Sequence, residues 1–228
     1  MASEGREDRR VETGDLWNER GRETLNEKRR FFDRVSQGCG MDRFKDDEIP
    51  RLRDHISLWG LGRGDVVLEV GSGTGRLTPY LLEMIGDEGE VYCLDFSLRM
   101  LLKARERRFE GKVWFIQADA ISLPLVRGCC DAVICFSAFP HFSDKGKALE
   151  EFHRVLKPGG RLVISHLLRR EEVNALHRKI GGPIGDDMIP SDEEMRELLR
   201  TAGFEKCDII NDERGYLVLA SAIYRAFQ

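Results

Sequence analysis

From Gly64 onward, short apolar runs alternate with segments in which apolar residues recur every three or four positions. The short runs are typical of buried strands, and the periodic segments are typical of amphipathic helices. The strand-like runs are VVLEV, EVYCLDF, VWFIQAD, DAVICFSAF and RLVISHLL, and the helix-like runs between them are TPYLLEMIG, LRMLLKARERR and KALEEFHRVLK. This alternation predicts an α/β fold with right-handed crossovers onto a mainly parallel sheet.

Polar residues and glycines mark the ends of these elements. Ser97 and Asp144 are predicted to cap the helices that follow them, and Ser191 with Glu194 forms a predicted capping box. The PGG at 158–160 is expected to separate a helix from the next strand. The last two strand-like runs, EKCDII and GYLVLASAIY, are separated by a turn-rich NDERG, which predicts an antiparallel hairpin at or near the sheet edge.

The pattern also divides the chain into segments. Residues 1–30 mix Arg with Glu and Asp, so we expect a flexible, frayed segment or a loose surface helix. Residues 31–228 are expected to form a single domain. Within it, FFDRVS and DEIPRLRDHISLWGLG predict a helical cap over residues 31–59. Residues 167–190 are too long for a simple connection and are predicted to be an insertion that acts as a lid or substrate loop.

Composition narrows the class of protein. A chain of 228 residues suits one sizeable domain, and a net charge of -4 gives no general reason to bind nucleic acid, so a small-molecule partner is expected. There is no apolar run long enough to span a membrane and no secretion signal, which favours a cytoplasmic location. Cysteines and histidines lack ligand spacing, so reduced, mostly buried thiols and no metal site are predicted. The cysteines stand at positions 39, 93, 129, 130, 135 and 207.

A glycine-rich loop, VLEVGSGTG, leaves the first strand and enters a helix. Gly71, Gly73 and Gly75 are suited to a close approach of the backbone to a ligand, although a tight structural turn is an alternative. The position where a dinucleotide fingerprint needs its third glycine is Arg76, and no GxxxxGK[ST] motif is present. A nicotinamide dehydrogenase is therefore the less favoured hypothesis.

Three acids stand at the ends of successive strands: Glu69 just before the loop, Asp95 after the second strand and Asp119 after the third. Carboxylates attract cationic groups and repel phosphate, and they accept hydrogen bonds from ribose hydroxyls. The expected ligand therefore has a ribose and a positive charge but no phosphate, as S-adenosylmethionine does. The alternatives are that Asp95 only caps a helix and that Asp119 is a surface acid.

At these positions the chain resembles the class I S-adenosylmethionine-dependent methyltransferases, in particular the type 11 group that includes quinone-biosynthesis C-methyltransferases. The landmarks are VLEVGSGTG, LDFSLRML, ADAISLPL, CDAVICFSAFPHFSD and EFHRVLKPGGRLVIS. The resemblance implies a Rossmann-like, doubly wound, mainly parallel seven-stranded sheet with an antiparallel C-terminal hairpin. It also implies S-adenosyl-L-methionine as cofactor and in-line methyl transfer to a small-molecule acceptor, with a quinone or other hydrophobic phenol compatible.

The resemblance further implies which residues hold the cofactor. Asp95 would take the ribose hydroxyls with Phe96 beside the adenine, and Asp119 would accept from the adenine amine. Ser137 would border the methionyl end. The full set is Glu69, Gly71, Ser72, Gly73, Gly75, Asp95, Phe96, Asp119, Ala120 and Phe136.

Two histidines are candidate catalytic residues. His141, in FPHFSD, is interpreted either as an imidazole bonded to backbone or as a general base, and His166, after the fifth strand, as a base or substrate contact. The acceptor pocket is expected to form from residues 31–59, 136–142 and 166–190. The N-terminal run of Arg and Glu is interpreted as a solvated face, and an alternative is that RFFDRVS folds over the cofactor as a lid. The rival hypothesis is a cofactor-binding regulatory or scaffold protein without transferase activity. A homodimer is a further expectation.

Overall fold

The computed structural model describes residues 13–38 and 42–222, with side chains from residue 24 onward. The helices are α1 (Thr13–Val35), α2 (Ile49–Ser57), α3 (Thr78–Ile85), α4 (Leu98–Arg105), α5 (Lys145–Val155), α6 (Arg170–Ile180) and α7 (Asp192–Thr201). The strands are β1 (Val66–Val70), β2 (Glu90–Asp95), β3 (Lys112–Gln117), β4 (Cys130–Phe136), β5 (Leu156–His166), β6 (Phe204–Asp212) and β7 (Gly215–Ala222). Short 3-10 turns cover Phe139–His141 and Gly182–Ile184.

The strands form one seven-stranded sheet in the order β3-β2-β1-β4-β5-β7-β6. The first five strands pair in parallel, whereas β7 is antiparallel to both β5 and β6. This confirms the predicted α/β class, the strand number and the C-terminal hairpin. Because the strand order reverses between β1 and β4, a crevice forms there at the carboxyl ends of the strands, which is where ligands bind in such sheets.

The central strands are buried on both faces. Leu68 and Val70 belong to the apolar layer shared with α5 and α7. Val67 belongs to the opposite layer, which contains residues of α2 and α3. Side chains alternate between the two faces of a strand, so a parallel strand covered by helices on both sides must be apolar at nearly every position. Glu69 departs from this rule, and it is buried as deeply as its neighbours.

The predicted caps are confirmed. The Ser97 hydroxyl accepts from the Met100 amide at 3.2 Å, and the Asp144 carboxylate accepts from the Lys147 amide at 2.8 Å. Ser191 and Glu194 form the reciprocal capping box at the start of α7. These bonds fix where the helices begin relative to the strand ends.

The expected role of PGG at 158–160 is wrong. α5 ends at Val155 and β5 begins at the next residue, so the three residues lie within β5. The register with β4 changes there from Cys130 opposite Leu156 to Ala132 opposite Arg161. Proline has no amide hydrogen and Gly159 has a φ of 77°, so this stretch leaves the ladder as a bulge.

Helix α1 crosses the position at which the sequence pattern divides residues 1–30 from the rest of the chain. The described part of residues 1–30, from Thr13 onward, is helical. No helix within the described residues is long and apolar enough to cross a membrane. Cys39 lies outside the described residues; the other five cysteines are free thiols.

Candidate active site

The loop after β1 requires its glycines for two different reasons. Gly71 has a φ of 68°, and a Cβ at this position would collide with the Ala138 side chain, so the loop lies tightly against the end of β4. Gly73 has a φ of 56° and nothing within 4 Å of the position of an added Cβ. The backbone at Gly73 therefore faces open space, as a ligand that approaches the main chain needs.

This space is a cavity at the carboxyl ends of the central strands, and all but one of the ten residues assigned to the cofactor line it. The exception is Gly75, where a Cβ would meet Phe109 and Ala104 on the far side of the loop. The residues that line it are Glu69, Gly71, Ser72, Gly73, Asp95, Phe96, Asp119, Ala120 and Phe136, with Ser137 beside them. We call it the first cavity.

Asp95 is fixed in the first cavity by two backbone amides. One carboxylate oxygen accepts from Gly73 N at 2.9 Å, and the other accepts from Ser97 N at 2.8 Å. Burial raises the pKa of Asp95 to about 6 despite these bonds. Each oxygen keeps a second lone pair, so Asp95 can join the loop to α4 and still accept hydrogen bonds from a ligand. The Asp119 carboxylate accepts from Ile121 N at 3.2 Å.

Glu69 lies at the other end of the first cavity and is 2% exposed. Its carboxylate accepts from the Thr78 hydroxyl at 2.7 Å, and burial raises its pKa to about 7. Its two hydrogen-bond donors, the Thr78 hydroxyl and the Cys93 thiol, are both neutral, so a cation placed next to the carboxylate would favour its ionised form. The open backbone at Gly73 and the carboxylates of Glu69 and Asp95 thus fit a ligand with ribose hydroxyls and positive charge.

A second cavity adjoins the first. Five residues line both: Phe32, Arg76, Phe136, Ser137 and His141. Each of the segments 31–59, 136–142 and 166–190 contributes to the second cavity, as expected of an acceptor pocket. Its apolar lining consists of Phe31, Phe32, Val35, Phe44, Phe136, Leu167, Leu168, Val173, Leu176, Ile180 and Ile184.

The imidazole of His141 is bonded to a side chain and not to backbone. Its Nδ1 lies 2.8 Å from a carboxylate oxygen of Asp187, whose other oxygen accepts from Lys28 at 2.5 Å. Burial lowers the pKa of His141, and Asp187 opposes that shift. Burial also raises the pKa of Asp187, but the bonds from His141 and Lys28 outweigh it and hold the pKa below its usual value. The network thus joins α1, the end of β4 and the insertion.

His166, at the end of β5, also lines the second cavity. It is 4% exposed, and its Nε2 has no hydrogen-bond partner among the described residues. Burial lowers the pKa of His166 to about 3, with smaller contributions from His141, His177 and His55. The imidazole is therefore neutral at physiological pH and is a weak proton acceptor.

The sequence did not identify Arg76, which lines both cavities, or the pair of Lys28 and Asp187, which is bonded to His141. In the sequence, Arg76 was considered only because it occupies the position of the third glycine of a dinucleotide fingerprint. Lys28 and Asp187 are 159 positions apart in a charged helix and a charged insertion. Neither has a local motif, so only the tertiary structure shows that they are paired.

Comparisons with known proteins agree with this architecture. A family model described as "Methyltransferase domain", of type 11, matches residues 68–164. The ubiquinone/menaquinone biosynthesis C-methyltransferase UbiE of Escherichia coli is 30% identical over 190 residues, covering 72% of this chain and 76% of the relative. The protein of the same name from Klebsiella pneumoniae is 31% identical with the same coverage.

Solved structures lead to the same group. A SAM-dependent methyltransferase from Aquifex aeolicus superimposes with a TM-score of 0.61 at 26% identity, over 78% of this chain and 98% of that one. A Haloferax volcanii putative methyltransferase, solved in complex with the Trm112 activator, superimposes with a TM-score of 0.70 at 24% identity, over 85% of this chain and 98% of that one. This second match supports the fold alone. The chain therefore belongs to the class I S-adenosylmethionine-dependent methyltransferases of the type 11 group.

Proposed function

We propose that this methyltransferase acts on a small molecule with an apolar ring that binds in the second cavity. The observation that carries the proposal is the contact between the two cavities, with Phe136 and Ser137 on their common border. An acceptor among the phenylalanine and leucine side chains of the second cavity would approach the first cavity directly. In-line methyl transfer needs this placement of the acceptor opposite the departing sulfur.

The residues of the first cavity would hold the cofactor. Asp95 accepts from the ribose hydroxyls, Phe96 and Asp119 contact the adenine, and Ala120 donates its amide to the ring. Glu69 and the loop at 71–75 face the methionine part. Bound S-adenosylmethionine supplies a methyl group that its sulfonium already activates, so the protein mainly positions the reactants and excludes water.

His141 is the better supported of the two candidate bases. Since its Nδ1 is occupied by Asp187, the neutral tautomer with hydrogen on Nδ1 leaves Nε2 free to accept a proton from an acceptor hydroxyl. His166 has no carboxylate beside it, and its pKa of about 3 makes it a poor base. We assign His166 a hydrogen bond to the acceptor, through the Nε2 that has no partner within the described part of the chain.

A hydroxylated aromatic ring or a quinol is the acceptor type that this cavity suits best. The E. coli relative is named as a ubiquinone/menaquinone biosynthesis C-methyltransferase, which supports an aromatic acceptor at the level of family. A phenolic acceptor combines a flat apolar ring for the phenylalanine side chains with a hydroxyl for His141. A cytoplasmic location is part of the proposal.

The test is a methylation assay with purified protein, S-adenosylmethionine and separate panels of quinols, phenols, small amines, RNA and protein. We expect a methylated small molecule, detected by mass spectrometry together with S-adenosylhomocysteine, and no product from Asp95→Ala. Methylation of RNA or protein alone would contradict the proposed acceptor class. Cofactor binding without any product would favour the regulatory or scaffold alternative.

A further inference from the structure

Arg76 is the one arginine among the described residues that line the second cavity. It follows the glycine loop, and its Cζ lies 4.6 Å from the centre of the Phe44 ring and 5.7 Å from that of Phe136. Phe44 lines the second cavity but not the first. The guanidinium, which is closer to Phe44, therefore lies toward the acceptor side of the border.

This guanidinium has no counter-ion within 4.0 Å and no hydrogen bond among the described residues. Arg29 and Arg161 each have an Nε without a hydrogen-bond partner as well, whereas two other partly buried arginines of the described chain are paired. Arg107 donates to the carbonyl oxygens of Thr74 and Asp42, and Arg154 donates to Glu151. Among these arginines, Arg76 alone lines the second cavity, so its unpaired donors face the space where the acceptor is proposed to bind.

The surroundings of Arg76 do not supply the missing partner. Glu48 is the one acid among the described lining residues of the second cavity, and its carboxylate accepts from Lys45 N at 2.8 Å instead. Glu69 accepts from Thr78. A guanidinium stays protonated and has five N–H donors, so Arg76, which is half-buried, has donors left for a ligand that enters the cavity. Stacking on aromatic faces holds its plane in place and leaves the N–H edge available.

We propose that Arg76 binds an anionic group on the methyl acceptor, so that the substrate class is an aromatic or conjugated acid. The inference rests on the proposed function and specifies its substrate. A carboxylate would accept two parallel hydrogen bonds from the guanidinium while its ring packs among the phenylalanine side chains. A neutral acceptor would leave Arg76 without a partner, which is how a site built for a polar group rejects the analogue that lacks it.

Arg76 also lines the first cavity, so the carboxylate of the cofactor is the other source of the same chemistry. Calorimetry with the full chain separates the two. The first titration measures S-adenosylhomocysteine alone. The second adds aromatic acids to the protein already saturated with S-adenosylhomocysteine, namely 4-hydroxybenzoate, 4-hydroxyphenylacetate and 2-naphthoate, each compared with its neutral amide.

We expect the protein to bind at least one of these acids about tenfold or more tightly than its amide, and Arg76→Met to abolish that preference. The affinity for S-adenosylhomocysteine should stay within about threefold. The matched control is Arg53→Met, because Arg53 also lies over an aromatic ring, that of Tyr80 at 5.8 Å, but is exposed and paired with Glu83. This control should bind both ligands as the unchanged protein does.

Two results would overturn the proposal. One is the absence of any preference for acid over amide in all three pairs. The other is a loss of S-adenosylhomocysteine binding in Arg76→Met while the preference for acids persists, which would assign Arg76 to the cofactor. Neither readout requires turnover, so a failure of methyl transfer and a failure of acid recognition remain distinguishable.

Discussion

The two cavities are built in different ways. The first cavity is formed by strand ends and the loop next to them, and Asp95 is held by amides of residues 73 and 97. The second is formed by α1, the loop before α2 and the insertion, and its polar network joins Lys28 to Asp187 across the chain. The sheet thus fixes the proposed cofactor side, whereas α1, the loop before α2 and the insertion form much of the proposed acceptor side. The cofactor residues and the acceptor residues should consequently be separable by mutation.

The strongest expected effect is on the cofactor side. Asp95→Ala removes both acceptors and leaves the amides of Gly73 and Ser97 without their partner. We expect the affinity for S-adenosylhomocysteine to fall by at least about 100-fold, since hydrogen bonds to a charged group contribute about 1.5–3 kcal/mol each. Calorimetry measures it. Asp208→Ala, at an exposed position on β6, is the control and should bind normally; equal affinities would show that Asp95 has no part in binding.

The next effect should be confined to the acceptor side. Asp187→Asn weakens the bond that orients His141, so we expect kcat to fall by about 10–100-fold with cofactor affinity unchanged. The pH profile of kcat/KM should also move, because the carboxylate no longer supports the imidazolium.

Asp186→Asn is the matched control, since this neighbouring acid is exposed. Melting curves check that the variants fold. If the pH profile of kcat/KM is the same in Asp187→Asn as in the unchanged protein, Asp187 has only a structural role.

A smaller effect is a pH dependence of cofactor binding. The raised pKa of Asp95, about 6, means that the empty protein takes up a proton there below this pH. Ribose hydroxyls need the ionised form as an acceptor, so affinity for S-adenosylhomocysteine should be constant well above pH 6 and should fall to about a tenth of that plateau at pH 5. Titrations across this range test the sign. Asp95→Asn should lose the dependence, and pH-independent binding by the unchanged protein would contradict it.

The smallest effect concerns stability. The pKa of Glu69 is raised from 4.5 to about 7 by burial, so the folded state binds a proton more tightly than the unfolded state does. The free energy of unfolding therefore decreases as the pH rises from about 4.5 to 7. Glu69→Gln removes this cost, and we expect it to stabilise the empty protein by at least about 1 kcal/mol at pH 8.

Denaturant melts at pH 5 and pH 8 measure the difference, which should be clearly smaller at the lower pH. The same substitution should weaken S-adenosylmethionine more than S-adenosylhomocysteine, because only the former has the sulfonium charge. A destabilised Glu69→Gln protein at pH 8 would show that the carboxylate stabilises the empty fold.

The sequence predicts the first cavity better than the second because of distance along the chain. Gly71, Gly73 and Glu69 stand within a few residues of each other, and Asp95 follows the next strand, so a parallel sheet necessarily brings them together. Asp187 contacts His141 and Lys28 only because α1 and the insertion meet over the end of β4. No local periodicity encodes such a meeting. The bulge in β5 was missed for a related reason, since PGG is typical of both a break and a bulge.

Helix α1 forms a wall of both cavities, with Leu25 and Phe32 facing the first and Phe31 and Phe32 facing the second. Two side chains of this helix bond to other parts of the chain: the Asp33 carboxylate accepts from the Ser97 hydroxyl at 2.6 Å, and the Lys28 ammonium donates to Asp187. One detachment of this helix would uncover both cavities at once. The two cavities thus share one wall, so a movement of α1 would open the proposed cofactor side and the proposed acceptor side together.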